Sequence, residues 1–132
     1  MALVLRLADQ AALAERDLTF STILDPDGFI AVTVESVKLS AGLAPSTSTM
    51  LIRLPPGFPD AGPDMFYFDP PVRLDNGGVV PGTEVTWTDP RGRVWQRWSR
   101  HIGRQWRPGI DNLATYLAYI RRCLDVGSGR AA

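Results

Sequence analysis

A chain of 132 residues, 45% hydrophobic and 21% charged, is long enough to bury one core without disulfide or metal staples. Its formal net charge is zero, so bulk electrostatics single out no nucleic acid, membrane or acidic substrate. One cysteine, Cys123, excludes an internal disulfide and a cysteine-rich zinc site, and no apolar run approaches the roughly 18–20 residues of a membrane-spanning helix.

Residues 7–17 are rich in Ala and Leu and predict a short helix with Leu7, Ala11, Ala14 and Leu18 on one side. Leu18 to Leu24 reads as a strand through Thr19, Phe20, Thr22 and Ile23. Asp25-Pro26-Asp27-Gly28 is a turn, with Pro presetting one backbone angle and Gly tolerating the next. Phe29 to Leu39 is the clearest strand and closes a hairpin. A polar loop, Ser40 to Ser48, leads to a strand from Thr49 to Leu54, which Pro55-Pro56 stops because proline cannot donate to a ladder. Asp64 to Phe68 predicts a fourth strand, and Pro70 to Pro81 an irregular stretch. Glu84 to Trp98 reads as a small hairpin around Asp89-Pro90-Arg91-Gly92. A last helix starts at Asp111 or a neighbour, places Ile110, Leu113, Leu117, Ile120 and Leu124 on one face, and ends at Gly127 and Gly129. Strands in one run with helices at the ends make an α+β domain with helices on one sheet face. The expected organisation is a single domain, 1–126, with a disordered tail, 127–132. The N-terminus lacks the basic region of a secretory signal, so the expected location is cytoplasmic.

Three blocks occur in a suggestive order. They are Leu54-Pro55-Pro56-Gly57-Phe58-Pro59, then Pro63-Asp64-Met65-Phe66, then Trp106-Arg107-Pro108-Gly109 before the final helix. With Trp95-Gln96-Arg97-Trp98-Ser99-Arg100-His101 between them, residues 17–125 resemble the ubiquitin-conjugating (UBC) superfamily, in particular a bacterial branch, prokaryotic family E. The resemblance implies a UBC-like fold: an N-terminal helix, a four-stranded antiparallel meander, an irregular active-site-like segment and a C-terminal helix. It implies a place in a bacterial ubiquitin-like conjugation pathway. The implied partners are a ubiquitin-like protein, a ubiquitin-activating-enzyme homologue and a JAB-type peptidase. No cofactor and no metal are expected. The chain departs from the superfamily twice. No His-Pro-Asn motif lies between Pro71 and Val94, and alignment puts Trp95 or Trp98 where the thioester cysteine belongs.

The remaining candidate chemistry lies around that gap. Ser99 and His101 are the candidate catalytic pair, because a hydroxyl beside a histidine base is the minimum for an activated oxygen nucleophile, and in extended chain residues two apart face the same way. Arg97, Arg100, Arg104 and Trp95 are the candidate binding residues, with Arg100 and Arg104 placed to stabilise developing negative charge. Trp98 and Trp106 read as staples for an irregular segment, and Cys123 as a structural thiol on the last helix. Six of the 14 basic residues fall between Arg91 and Arg107 among tryptophans, which also fits single-stranded nucleic acid and is the least favoured reading. The two leading readings are an acyl transferase without a cysteine and a non-catalytic UBC-fold scaffold.

Overall fold

The computed structural model describes residues 5–129. Helix α1 spans Leu7–Ala14. Strands β1 (Thr19–Leu24), β2 (Ile30–Lys38), β3 (Leu43–Ala44), β4 (Thr47–Leu54), β5 (Phe66–Asp69), β6 (Arg73–Leu74), β7 (Thr86–Thr88) and β8 (Val94–Trp98) follow, and α2 spans Leu113–Gly127. The main sheet is antiparallel with strand order β1-β2-β4-β5-β8-β7. Its first four strands are the expected meander. The β7–β8 hairpin extends it to six strands, because β8 pairs with β5 in the register Phe66↔Trp98, Tyr67↔Arg97 and Phe68↔Gln96. The stretch after Pro70 is mostly irregular but contributes β6, which pairs with β3 in a separate two-stranded ribbon.

Both helices pack on one face of the sheet. Leu113, Tyr116, Leu117, Ile120 and Leu124 of α2 meet Val32, Met50, Ile52, Phe66, Phe68 and Trp98 in the main core. Asn112 starts α2 with a capping box: its side chain accepts from Thr115 N, and the Thr115 hydroxyl accepts from Asn112 N. Ile110, expected on the buried face, lies before the helix and is 62% exposed. The helix continues through Gly127, so the expected boundary at 126 falls inside it. A side chain there would press on Trp98, since a Cβ would lie 3.1 Å from that ring. Residues 130–132 lie outside the described residues.

The buried face of α1 differs from the predicted one. Leu7 is 71% exposed, and Asp9, Ala12 and Leu13 point inward. Asp9 turns inward because it has partners there. It accepts from Arg6 Nε at 2.8 Å and from the backbone N–H of Leu113 at 3.4 Å, one of the orphan donors at the start of α2. The helix stops at Ala14. Asp17 then takes φ 55° and Leu18 N–H bonds back to Leu13 O.

The other sheet face has no helix over it, yet Ala31, Leu51, Tyr67 and Trp95 on it are at most 5% exposed. Side chains of the sheet itself cover them. The Arg53 guanidinium lies between the rings of Phe29 (4.4 Å) and Trp87 (4.6 Å) and pairs with Asp27, and Arg93 lies over Trp95 at 4.3 Å. Cations on aromatic faces thus close an apolar surface, their charges paired with Asp27 and Asp69.

The β7–β8 turn is held by Asp89, which accepts from Arg91 N (2.8 Å), Arg93 N (3.0 Å) and Trp95 Nε1 (3.0 Å). Burial opposes ionisation of Asp89, but these donors and Arg91 outweigh it and hold the carboxyl below its ordinary value. With a folded-state pKa below the unfolded value of about 3.9, its contribution to stability is complete above that pH and lost as pH falls through the folded value. Asp89→Asn should therefore be less stable than wild type at pH 7 by about 1–2 kcal/mol in urea unfolding, and the difference should shrink as pH falls through the folded-state pKa of Asp89. A difference that persists unchanged in acid would mean that the charge of Asp89 does not matter.

Candidate functional site

Strand β8 ends at Trp98, whose indole is fully buried, stacks on Phe66 at 5.6 Å and donates to Gln96 Oε1 at 3.0 Å. Gln96 is itself locked, accepting from Val72 N and donating to Val72 O, each at 2.8 Å. Beyond Trp98 the chain leaves the sheet. Ser99 N–H bonds Gly82 O, and Arg100 N–H turns back to Trp98 O. A 3-10 turn over Gly103–Gln105 follows, then Trp106 and the Arg107–Ile110 turn. Residues 99–106 thus form a ledge between the sheet end and α2.

The ledge is anchored at Trp106. Its indole is 7% exposed, donates to Pro59 O at 2.8 Å, and packs against Phe58 (5.9 Å) and Tyr116 (6.3 Å). Gly62 lies directly against the ring: a Cβ there would sit 2.5 Å from Trp106 Cγ and Cδ2. Arg107 and Asp111 close the following turn, with Asp111 Oδ2 accepting from Arg107 N at 2.7 Å and Oδ1 from Arg107 Nη2 at 3.0 Å. The Arg107 guanidinium and backbone hold the Asp111 carboxyl below its ordinary value.

This docking puts the Pro63-Asp64 step beside the ledge. His101 Nδ1 lies 2.5 Å from Asp64 Oδ1, with both side chains more than half exposed. A carboxylate only accepts, so Nδ1 donates, and Nε2 faces solvent with no partner among the described residues. Asp64 escaped the sequence reading, which made it the first residue of a strand; β5 begins at Phe66. The Pro-Asp block pointed to this place, but only folding brings together two residues that stand 37 positions apart.

The other expected site residues are distributed differently. Among the described residues no hydrogen bond joins Ser99 to His101, because the strand that would have aligned them ended at Trp98. Trp95 is 2% exposed, so it is not available as a surface contact. It and Arg97 lie on the helix-free face of the sheet, with Arg97 opposite Tyr67. The Arg100 guanidinium sits over Trp98 at 5.0 Å and donates to Pro81 O and Ser99 O. Arg104 is exposed in the 3-10 turn and has no ion pair among the described residues. The indoles of Trp98 and Trp106 act as the expected staples. Trp95 and Trp98, the aligned thioester positions, are both closed.

Cys123 is half-buried against the main core. Burial pushes its thiol up, against weaker opposing effects of Tyr119, Arg100 and Arg122. Burial likewise raises Tyr119, to about 12. A protonated, half-buried thiol is a poor nucleophile. Beside the ledge a cleft of about 290 Å³ is lined by Ile102, Gln105, Arg107, Thr115, Tyr119 and Arg122. Among the described residues no three His, Cys, Asp or Glu side chains are grouped to hold a metal ion, and no helix is long and apolar enough to cross a membrane.

The model of prokaryotic E2 family E matches residues 5–127. The chain belongs to this family. No curated protein and no solved structure matches it. As an E2-family protein it has a role in ubiquitin-like conjugation, a pathway whose E2-like members meet ubiquitin-like proteins and activating enzymes. The α+β architecture, with helices on one face of an antiparallel sheet, agrees with that membership.

In this E2-family domain the Gly62–Trp106 contact admits no side chain. Gly62→Ala should cost about 1–3 kcal/mol in chemical unfolding and make the Trp106 indole N–H exchange faster. A variant as stable as wild type with an unchanged indole signal would contradict the close approach.

Proposed function

We propose that this E2-family protein accepts or positions the C-terminus of a ubiquitin-like protein on the 99–106 ledge, with His101 in place of a cysteine as the reactive side chain. The observation that carries the proposal is the Asp64–His101 pair, which fixes one ring nitrogen and leaves the other open to solvent. In that arrangement Nε2 takes the proton from a hydroxyl or amine as it adds to the activated C-terminal carbonyl. The new ester or amide bond forms, the former leaving group departs with the electrons of its bond, and the imidazolium returns the proton to it. Asp64 orients the ring and stabilises the imidazolium. Arg104, exposed on the same ledge, is the cation for charge developing on the carbonyl oxygen. Ser99 is the nearest hydroxyl in sequence and the candidate acceptor for an ester, reached by rearrangement of the turn after Trp98.

A second reading, a non-catalytic scaffold that holds the ubiquitin-like protein or its activating enzyme, is favoured by the separation of Ser99 from His101 and by the closed tryptophans at the aligned cysteine positions. A JAB-type peptidase is then a pathway neighbour under either reading. The nucleic-acid reading loses ground because Arg91, Arg93 and Arg107, half of the cations in the basic segment, each pair with an aspartate.

The test is incubation with the cognate activating enzyme, the ubiquitin-like protein and ATP. A covalent adduct that survives thiol reductant is expected. His101→Ala should slow its formation by about 10²–10⁴-fold, and Asp64→Asn by less. Loss of an alkali-labile adduct in Ser99→Ala identifies the acceptor. Stable binding with no adduct would replace transfer by the scaffold reading.

A further inference from the structure

A second concavity lies on the far side of the exposed Ala118 from the ledge cleft. It is a groove of about 560 Å³ between the end of α1, the end of β2 and two turns of α2. Its floor is apolar: Met50, Leu117 and Leu124, each at most 8% exposed. Its rim carries Arg16, Lys38 and Arg121, all exposed, against one acid, Asp17. Outside the groove the arginines divide: Arg73, Arg97, Arg100, Arg104 and Arg122 have no carboxylate partner among the described residues, whereas Arg6, Arg53, Arg91, Arg93 and Arg107 each pair with an aspartate. In the groove, among the described residues, none of the three cations has a carboxylate partner. Arg16 instead donates to Ala12 O at 2.7 Å, which fixes its guanidinium at the end of α1.

The backbone shapes the same groove. Ser36 takes φ 51° in a β-bulge between Val34 and Val37, and Asp17 takes φ 55° at the end of α1. Both line the groove. Left-handed conformations at non-glycine residues are uncommon, and bulges re-aim side chains beside binding sites. Here the bulge lies immediately before Lys38, whose side chain lines the rim.

We infer that this groove binds an acidic segment of a partner protein, with its carboxylates on Arg16, Lys38 and Arg121 and an apolar side chain over the Met50–Leu117–Leu124 floor. A concave surface lined by one sign of charge focuses its field on a ligand of the other sign. The cations come from three separate elements and the α2 wall runs from Leu117 to Leu124, on the order of 10 Å along the helix axis. That spacing suits several carboxylates along a chain rather than one small anion. The surface is separate from the ledge, so the inference does not rest on the chemistry of His101.

The probe is a fluorescently labelled peptide of alternating glutamate and leucine, compared with its glutamine-for-glutamate counterpart and with labelled oligothymidylate. Anisotropy is followed on the whole chain at about 150 mM salt. The glutamate peptide should bind saturably and the glutamine peptide should not. Lys38→Glu and Arg121→Glu should each weaken binding by about tenfold or more, and Asp17→Asn, which keeps a residue tolerant of positive φ, should strengthen it. Arg73→Glu, on the exposed β6, should leave it unchanged. Absence of saturable binding, equal weakening by Arg73→Glu, or preferential binding of oligothymidylate would each overturn the inference.

Discussion

The packing of Trp106 against the loop at Pro59–Gly62 is the contact on which the candidate site depends. The indole donates to Pro59 O, and its ring occupies the space that a side chain at residue 62 would need. One end of the ledge is thereby tied to the segment between β4 and β5, and the other end is tied to the sheet by Trp98. Between those two indoles the chain has no regular strand to hold it; the Gly82 carbonyl, the Arg100 bond to Pro81 O, a 3-10 turn and the Asp64 carboxylate do so instead. Large buried aromatic surface substitutes for a backbone ladder in positioning this irregular segment.

The same economy explains the arginines. The chain has one lysine and many arginines, and much of the arginine complement is structural. Arg53 and Arg93 close the helix-free sheet face by lying on aromatic rings, Arg91 and Arg107 brace turns, and Arg100 ties the ledge to the Pro81 carbonyl. A planar guanidinium serves these roles because it covers apolar surface and forms directed hydrogen bonds at once. Other cations have no carboxylate partner among the described residues, among them Arg104 on the ledge and the trio around the α1–β2–α2 groove.

Elements whose patterns are set by their own residues were legible in the sequence. The Leu113, Leu117, Ile120 and Leu124 spacing defines α2, the Asp25–Gly28 turn joins β1 to β2 with Gly28 at φ 87°, and the proline pair ends β4. The inward face of α1 was not legible, because Asp9 is buried by a bond to the start of a helix at the other end of the chain. At the site, His101 could be singled out as the only histidine beside the motif blocks. Its partner could not, since the Asp64 carboxylate reaches it only through the packing of Gly62 on Trp106. The separation of Ser99 from His101 has a related cause: the point where β8 stops is decided by tertiary contacts of Trp98 and by the Gly82 carbonyl, not by the residues around Ser99.

Those contacts have a single chemical consequence, the tautomer of one imidazole. Free neutral imidazole in a histidine side chain favours the proton on Nε2; donation to Asp64 requires it on Nδ1 and leaves the solvent-facing nitrogen basic. Nitrogen-15 NMR of the His101 ring at alkaline pH reads this directly. Predominance of the Nδ1–H form in the wild type, reverting toward Nε2–H in Asp64→Asn, is the predicted result. A ring that is already mainly Nε2–H, and indifferent to Asp64, would contradict it.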